Sequence, residues 1–286
     1  MTIAALVFYC LPCPAQNPVY SWITRSRITE TVGDIPAPAG YKRVVLDSTS
    51  FQHWLRGLPL RDSNVVFLYN GRVKPNQGAH YRILDIDVGD RDLQQCADAV
   101  MRLRAEYLFS KERYEDIHFD FTSGDRAAFV DWVSGYRPVI LGNKVRWEKQ
   151  TGPQLTYANF RAYMNTVFTY AGTYSLSAEM DSVMNVEYVQ VGDVFIEGGF
   201  PGHAVIVLDV AISQATGEKA LLLAQSYTPA QDVHILKNLQ DPESSPWYVV
   251  KKEAKLFTPE WVFDWEDLKR FPKEPRIKAP SFGGGY

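Results

Sequence analysis

The chain has 286 residues and a mass of 32.5 kDa, of which 46% are hydrophobic, 13% aromatic and 22% charged. This composition provides enough apolar side chains for a sizeable core and excludes a disordered or collagen-like chain. A formal net charge of −3 offers no cationic surface for a phosphate backbone, so the sequence disfavours nucleic-acid binding.

The first fifteen residues differ in character from the rest of the chain. Residues 2–12 read TIAALVFYCLP, an apolar run too short to cross a bilayer, and small residues follow up to Ala15. We predict a signal peptide over residues 1–15, and therefore an exported protein, periplasmic or extracellular, without a transmembrane span. A buried first strand is the alternative interpretation of this segment.

Short strands and helices alternate through the first half of the chain. The pattern of apolar residues and turn signals predicts strands at 42–47, 65–69, 80–88, 117–121, 138–141 and 144–148, and helices at 51–58, 93–108 and 127–135. The clearest helix is 93–108, in which apolar residues recur at three- and four-residue steps, with Cys96 among them. We expect Asp90 or Asp92 to cap it.

The polar stretch 149–153 suggests an internal boundary, which divides the mature chain into an N-terminal α+β half, 16–150, and a sheet-and-helix half, 151–286. Beyond this boundary the pattern predicts a helix over 157–170, a further turn of helix from Ser175, and then three apolar runs separated by glycine-containing turns. That spacing is typical of an antiparallel meander. We therefore predict an α+β fold, an antiparallel sheet with packed helices, in one integrated molecule.

His203 is the strongest single indication of chemistry. It opens the second apolar run of the predicted meander, directly after the glycine-rich segment 198–202. An imidazole at the entrance of a strand is expected to face an open groove, where it can act as a general base. The alternative is a histidine that only caps the turn.

The residues around His203 resemble a known family. The segments VGDVFI (191–196) and GHAVIV (202–207) are similar to the core of NlpC-like papain-fold amidases and endopeptidases, in which such a strand leads to one headed by the catalytic histidine. The segment VFTYAG (167–172) resembles the end of that family's nucleophile helix. The resemblance implies a papain-like C-terminal half and a cysteine near residues 159–160, where this sequence has Asn159 and Phe160.

A wider resemblance spans nearly the whole mature chain. It is carried by three segments, LDIDVGDRDLQQCADAVMRLRAEYLF, PGHAVIVLDVA and LLLAQSYTPAQDVHILKN. These segments are similar to an exported bacterial family catalogued as domain of unknown function 4846. The resemblance supports the boundaries of the fold and implies no activity.

Cys96 is the only cysteine that remains after removal of residues 1–15, so it is the single candidate thiol nucleophile. A position near a helix N-terminus favours a thiolate, whereas nearby acidic residues and the apolar helix face favour a buried, inert thiol. Both interpretations stay open at the level of the sequence.

Polar residues follow the third apolar run, in the segment AQSYTPAQ (224–231). In an antiparallel pair, Gln225 or Ser226 would lie beside His203, where a side-chain oxygen could orient the imidazole. We predict Gln225 as this orienting residue and assign Ser226, Tyr227 and Gln231 to substrate binding. The alternative is a turn whose polar side chains bind its own backbone.

Metal and cofactor sites have little support, because the five histidines show no paired metal spacing and the chain has no HExxH, CxxC, GxSxG, P-loop or GxGxxG motif. We expect no metal and no cofactor.

The leading hypothesis is a cell-envelope cysteine hydrolase of amide or peptide bonds of the peptidoglycan type, with Cys96 as nucleophile, His203 as base and Gln225 as orienting residue. The rival hypothesis is a catalytically inactive relative that binds an envelope peptide, glycan or protein partner in the same cleft.

Overall fold

The computed structural model describes residues 18–23, 28–251 and 255–273. The predicted signal peptide, 1–15, lies outside these residues.

The described residues form fifteen strands and five α-helices. The strands are β1 (Tyr41–Arg43), β2 (His80–Ile83), β3 (His118–Asp120), β4 (Arg126–Ala128), β5 (Tyr136–Leu141), β6 (Lys144–Lys149), β7 (Asp181–Ser182), β8 (Val194–Glu197), β9 (His203–Ser213), β10 (Lys219–Gln225), β11 (His234–Leu236), β12 (Trp247–Val249), β13 (Leu256–Phe257), β14 (Val262–Phe263) and β15 (Leu268–Arg270). The helices are α1 (Phe51–Arg56), α2 (Cys96–Ser110), α3 (Phe129–Val133), α4 (Tyr157–Tyr170) and α5 (Thr173–Glu179).

Nine of these strands form one antiparallel sheet. Its main path is β2-β11-β10-β9-β8-β15-β7, with β1 paired to β9 and β12 paired to β10. Separate hairpins are formed by β3–β4, β5–β6 and β13–β14. The predicted α+β fold, an antiparallel sheet with a few packed helices, is confirmed.

The predicted meander is the centre of the sheet. Strands β8, β9 and β10 pair in sequence, with Glu197 opposite His203 and Ala224 opposite Ile206. Eleven residues long and buried over its first nine, β9 is covered on both faces, which explains its nearly continuous apolar sequence. Strands β1 and β2, from before the predicted boundary at 150/151, pair in this same sheet.

Helix α2 packs directly against β9, and α4 packs against α2 and α3. The resemblance to papain-fold amidases placed the nucleophile helix at residues 157–170. The helix there, α4, exists with the predicted bounds, but Asn159 near its start is buried and accepts a hydrogen bond from the Trp132 indole at 2.8 Å. The helix that faces the histidine strand is α2.

Two local predictions are wrong for an identifiable reason. Residues 65–69 form only isolated bridges, because the amide groups of Val66 and Phe67 donate to the side chains of Gln77 and Asp232 instead of to a neighbouring strand. Neither Asp90 nor Asp92 caps α2. The helix begins at Cys96 with Gln95 as its N-cap, and the Asp92 carboxylate accepts from the amide of Ala230 at 2.7 Å.

Among the described residues no helix combines the length and the apolar character needed to cross a membrane.

Candidate active site

His203 and Gln225 meet at one end of the central sheet. His203 is the first residue of β9 and Gln225 is the last residue of the neighbouring strand β10. Nε2 of the imidazole lies 2.8 Å from Oε1 of the Gln225 amide. The other ring nitrogen, Nδ1, makes no hydrogen bond with any residue that the structure describes.

Cys96 lies at the N-terminus of α2, the helix that packs on β9. Its side chain is half-buried, and the backbone N–H groups of Cys96, Ala97 and Ala204 donate toward its sulfur. Ala204 is the residue that follows His203 along β9. The structure therefore brings the three predicted catalytic residues, Cys96, His203 and Gln225, to the same corner of the sheet.

The thiol of Cys96 is neutral in the resting protein. Burial, followed by the nearby Asp98 carboxyl, raises its pKa to about 11, while the three backbone N–H groups act in the opposite direction. The acidic residue that opposes the thiolate is thus Asp98, in the first turn of α2, and not Asp90 or Asp92. Asp98 is itself buried, which raises the pKa of its carboxyl well above the ordinary value.

His203 is enclosed by aromatic rings. Its side chain is 1% exposed, and its ring centroid lies 4.9 Å from that of Tyr227, 5.3 Å from that of Trp261 and 5.8 Å from that of Phe263. The expectation of an imidazole facing an open groove is therefore wrong, because the hairpin β13–β14 packs over the mouth of the meander. Burial lowers the pKa of His203 to about 4, so the ring is a neutral base at pH 7.

A buried ion pair lies behind Gln225. Oε2 of Glu260 is 2.7 Å from Nε2 of Gln225 and 2.7 Å from Nζ of Lys74, which is 5% exposed. Oε1 of Glu260 accepts a weaker bond from Asn76 at 3.4 Å. Sequence reasoning missed both charged residues, since Glu260 comes from the turn of β13–β14 and Lys74 from an irregular segment without a motif.

Two further histidines continue the cluster from Gln225 into the core. Nε2 of His234 lies 3.5 Å from Nε2 of Gln225, its Nδ1 lies 2.8 Å from the carbonyl of Asp232, and its ring is 5.9 Å from that of His80. Burial lowers the pKa of His234 to about 3. Across the part of the chain that the structure describes, no group of three or more His, Cys, Asp or Glu side chains could hold a metal ion.

Of the predicted substrate-binding residues, Ser226 contacts the loop that precedes Cys96. The Ser226 hydroxyl is buried within hydrogen-bond distance of the carbonyls of Gln94, at 3.0 Å, and Gln231, at 2.8 Å. Gln231 is also buried, and its Oε1 has no partner among the described residues. Tyr227 is half-buried against His203.

Asp209, farther along β9 than His203, belongs to a different polar site. Its buried carboxylate binds Arg43 at 2.6 Å and Arg56 from the opposite side. Strand β9 therefore presents two separate polar sites, of which only the one at its start includes a thiol.

A family model described as a domain of unknown function (4846) matches residues 32–270. The match covers most of the chain, so the chain belongs to this family. The searches of curated proteins and of solved structures give no match.

Proposed function

We propose that the protein is a cysteine-dependent hydrolase of amide or peptide bonds, acting on peptidoglycan-type substrates of the cell envelope. Cys96 is the nucleophile, His203 the general base and Gln225 the residue that orients the imidazole. Export directed by residues 1–15 would bring the protein to its substrate.

The observation that carries the proposal is the convergence of three elements on one point. A cysteine at a helix N-terminus contacts the strand that begins with a histidine, and the next strand ends with an amide that binds this histidine. The order of cysteine helix, histidine strand and polar residue supports the resemblance to NlpC-like papain-fold enzymes, although the helix is α2 and not the one that the resemblance indicated.

The chemistry starts from a neutral thiol and a neutral imidazole. As the sulfur of Cys96 attacks the substrate carbonyl carbon, Nδ1 of His203 takes the thiol proton and the C–N bond breaks after this proton passes to the leaving amine. The resulting thioester is hydrolysed by water, whose proton is taken by the same imidazole and returned to the sulfur as the carboxylic acid leaves. No oxidant or metal is needed for this balance.

The base does not need to touch solvent to perform this step. The proposed step requires His203 to reach only the sulfur, and Cys96 keeps part of its surface exposed, so we infer that the substrate approaches from the cysteine side. The N–H groups of Cys96 and Ala97 in the first turn of α2, which donate toward the sulfur in the resting protein, would stabilise the oxyanion. Tyr227, half-buried beside the imidazole, keeps its proposed role in substrate binding.

Ser226 and Gln231 have a different arrangement from Tyr227. The hydroxyl of Ser226 lies on two backbone carbonyls, one of them from Gln94 just before Cys96, so we propose that it positions the nucleophile loop. The unpartnered Oε1 of Gln231 is a spare acceptor in the same loop region, which supports retaining Gln231 as a substrate-binding candidate.

The second candidate function is binding without catalysis. The observations that favour it are the high pKa of the Cys96 thiol and the enclosure of His203 by three aromatic rings. An inactive relative would use the same corner to bind an envelope peptide, glycan or protein partner.

The deciding experiment is incubation of the protein with purified muropeptides, followed by mass spectrometry of the products. We expect cleavage at an amide bond, and Cys96→Ala should reduce its rate at least about a thousandfold, because loss of a nucleophile removes the covalent route. The matched control, made in the full-length chain that retains residues 1–15, is Cys10→Ala with Cys13→Ala; it removes the other two thiols and should leave the rate unchanged.

The outcomes separate the two hypotheses. Cleavage that persists in Cys96→Ala would exclude this cysteine as the nucleophile. Saturable muropeptide binding without turnover, measured by calorimetry, would support the inactive relative. Absence of both binding and turnover would count against both.

A further inference from the structure

The Lys74–Glu260 ion pair is placed where it can control the chemistry without touching a substrate. The carboxylate of Glu260 accepts from Lys74 and from the Gln225 amide at the same oxygen, each at 2.7 Å. Lys74 is 5% exposed, and burial lowers the pKa of its ammonium while Glu260 opposes this shift. A buried ion pair of this kind costs desolvation energy, so its presence is weak evidence for a role in stability.

The first consequence concerns the Gln225 side chain. A carboxylate only accepts hydrogen bonds, so the Gln225 atom that faces Glu260 must be the NH₂ group. His234 imposes the same orientation: its Nδ1 lies 2.8 Å from the Asp232 carbonyl and must carry the proton, so its Nε2, 3.5 Å from Gln225, is an acceptor. Both neighbours therefore turn the amide oxygen toward His203.

The second consequence concerns the imidazole of His203. An amide oxygen can only accept, so the bond of 2.8 Å between Oε1 of Gln225 and Nε2 of His203 requires a proton on Nε2. A neutral imidazole carries one proton, and Nδ1 is then the basic nitrogen. This is the nitrogen that makes no hydrogen bond within the described part of the chain.

We propose that Lys74 and Glu260 are positioning residues, which fix the Gln225 amide and thereby hold His203 in the Nε2–H tautomer with Nδ1 free for the Cys96 proton. The assignment of Nδ1 as the base rests on the proposed function. The control of the tautomer does not, since it follows from hydrogen-bond complementarity alone.

The test measures the tautomer directly by two-bond ¹H–¹⁵N correlation of the histidine rings at pH 7, with His203→Gln used to assign the signal. The wild type should show His203 with the proton on Nε2. The variant Lys74→Met with Glu260→Met removes both charges together and preserves side-chain volume. In it the amide can turn, because only the distant His234 nitrogen still favours one orientation, and we expect a mixture of tautomers.

Two single variants provide the controls. Glu260→Gln retains an oxygen that can accept from Lys74 and Gln225, so we expect it to preserve the Nε2–H tautomer. Glu197→Gln alters the neighbouring carboxylate, which accepts from the Trp261 indole at 2.9 Å and does not contact Gln225, and should leave His203 unchanged. An unaltered Nε2–H tautomer in the double methionine variant would overturn the proposal.

A second readout is the rate of muropeptide cleavage, or of Cys96 alkylation by iodoacetamide, against pH. The titratable groups around the imidazole are Tyr227, Glu260, Lys74 and His234, and the Cys96 thiol lies close enough to Tyr227 to act on its phenol. Where the wrong tautomer is populated, Nδ1 cannot take the thiol proton, and we expect a loss of about tenfold or more. If cleavage is absent even in the wild type, the proposed function fails while the tautomer measurement still decides the role of the ion pair.

Discussion

Strand β9 carries two buried polar side chains, His203 at its start and Asp209 further along. They differ in how many of their hydrogen-bonding atoms have a partner. Both carboxylate oxygens of Asp209 are engaged by Arg43 and Arg56, and one also accepts from the amide of Val210 at 2.8 Å. His203 has one nitrogen bound to Gln225 and one nitrogen without a hydrogen-bond partner among the described residues.

Asp209 is a polar group that stabilises the fold, whereas His203 is a polar group that can still take part in proton transfer. A saturated carboxylate in the core joins the elements that donate to it, here β1 and α1 to the sheet, and has no capacity left for a ligand. An imidazole whose one nitrogen is fixed and whose other nitrogen is free can still accept a proton. Hydrogen-bond capacity, and not burial, distinguishes the two sites on this strand.

The largest expected effect is on the saturated site. Asp209→Asn leaves Arg43 and Arg56 facing a neutral amide, and breaking such a buried pair costs about 3 to 5 kcal/mol. We expect a value near 3 kcal/mol, because the arginine side chains are 23% and 18% exposed. Urea unfolding measures this loss of stability. A loss below about 1 kcal/mol would show that the Asp209 cluster is not the structural site that the contrast with His203 requires. The reactivity of Cys96 toward iodoacetamide should stay unchanged in this variant.

The next effect is a dependence of stability on pH that originates at His203. Burial lowers its pKa to about 4, whereas the unfolded chain has the ordinary value near 6.5. Between these values the unfolded state binds the proton and the folded state does not, so the free energy of unfolding falls as pH drops from about 6.5 to about 4, by about 3 kcal/mol from this ring. His118 and His234, whose pKa values are lowered by burial to about 4 and about 3, act in the same direction.

Urea unfolding at several pH values between 7 and 4 checks this contribution. In His203→Gln the share of this ring is absent, so the stability advantage of the wild type over the variant should shrink as the pH falls. Parallel curves for the two proteins would show that His203 is not a buried neutral base in solution.

The smallest effect on stability is expected at the thiol. Cys96→Ser is nearly isosteric at a half-buried position, and we expect the free energy of unfolding to change by less than about 1 kcal/mol. The same variant should lose hydrolysis. A destabilisation as large as that of Asp209→Asn would place Cys96 with the structural polar groups.

Much of this architecture could be predicted from local patterns. Alternation and turn residues located the meander of β8, β9 and β10, three- and four-residue periodicity located α2, and the helix predicted over 157–170 coincides with α4. The start of α2 was missed because Asp92, a good cap by residue type, is bound to the distant amide of Ala230. The strand predicted at 65–69 failed for a similar reason, since side chains from Gln77 and Asp232 bind its backbone.

The candidate site was also predictable only in part from the sequence. His203 and Gln225 lie on adjacent strands, so the spacing of the meander was enough to predict that they are neighbours. The helix that faces them was not predictable from this spacing: local similarity indicated 157–170, and packing placed α2 there with Cys96 at its N-terminus. Glu260, Lys74 and the aromatic cover of Trp261 and Phe263 come from segments without a chemical motif.

The sequence by itself determined the α+β class, the order of the central strands and the position of the candidate thiol, because these depend on hydrophobic periodicity and residue type within short windows. Only the tertiary structure decided which helix meets the histidine strand, how completely the imidazole is enclosed, and which charges stand behind Gln225. The physical reason is that long-range packing and the pairing of buried polar groups join residues far apart in the chain, and no local pattern records those partners.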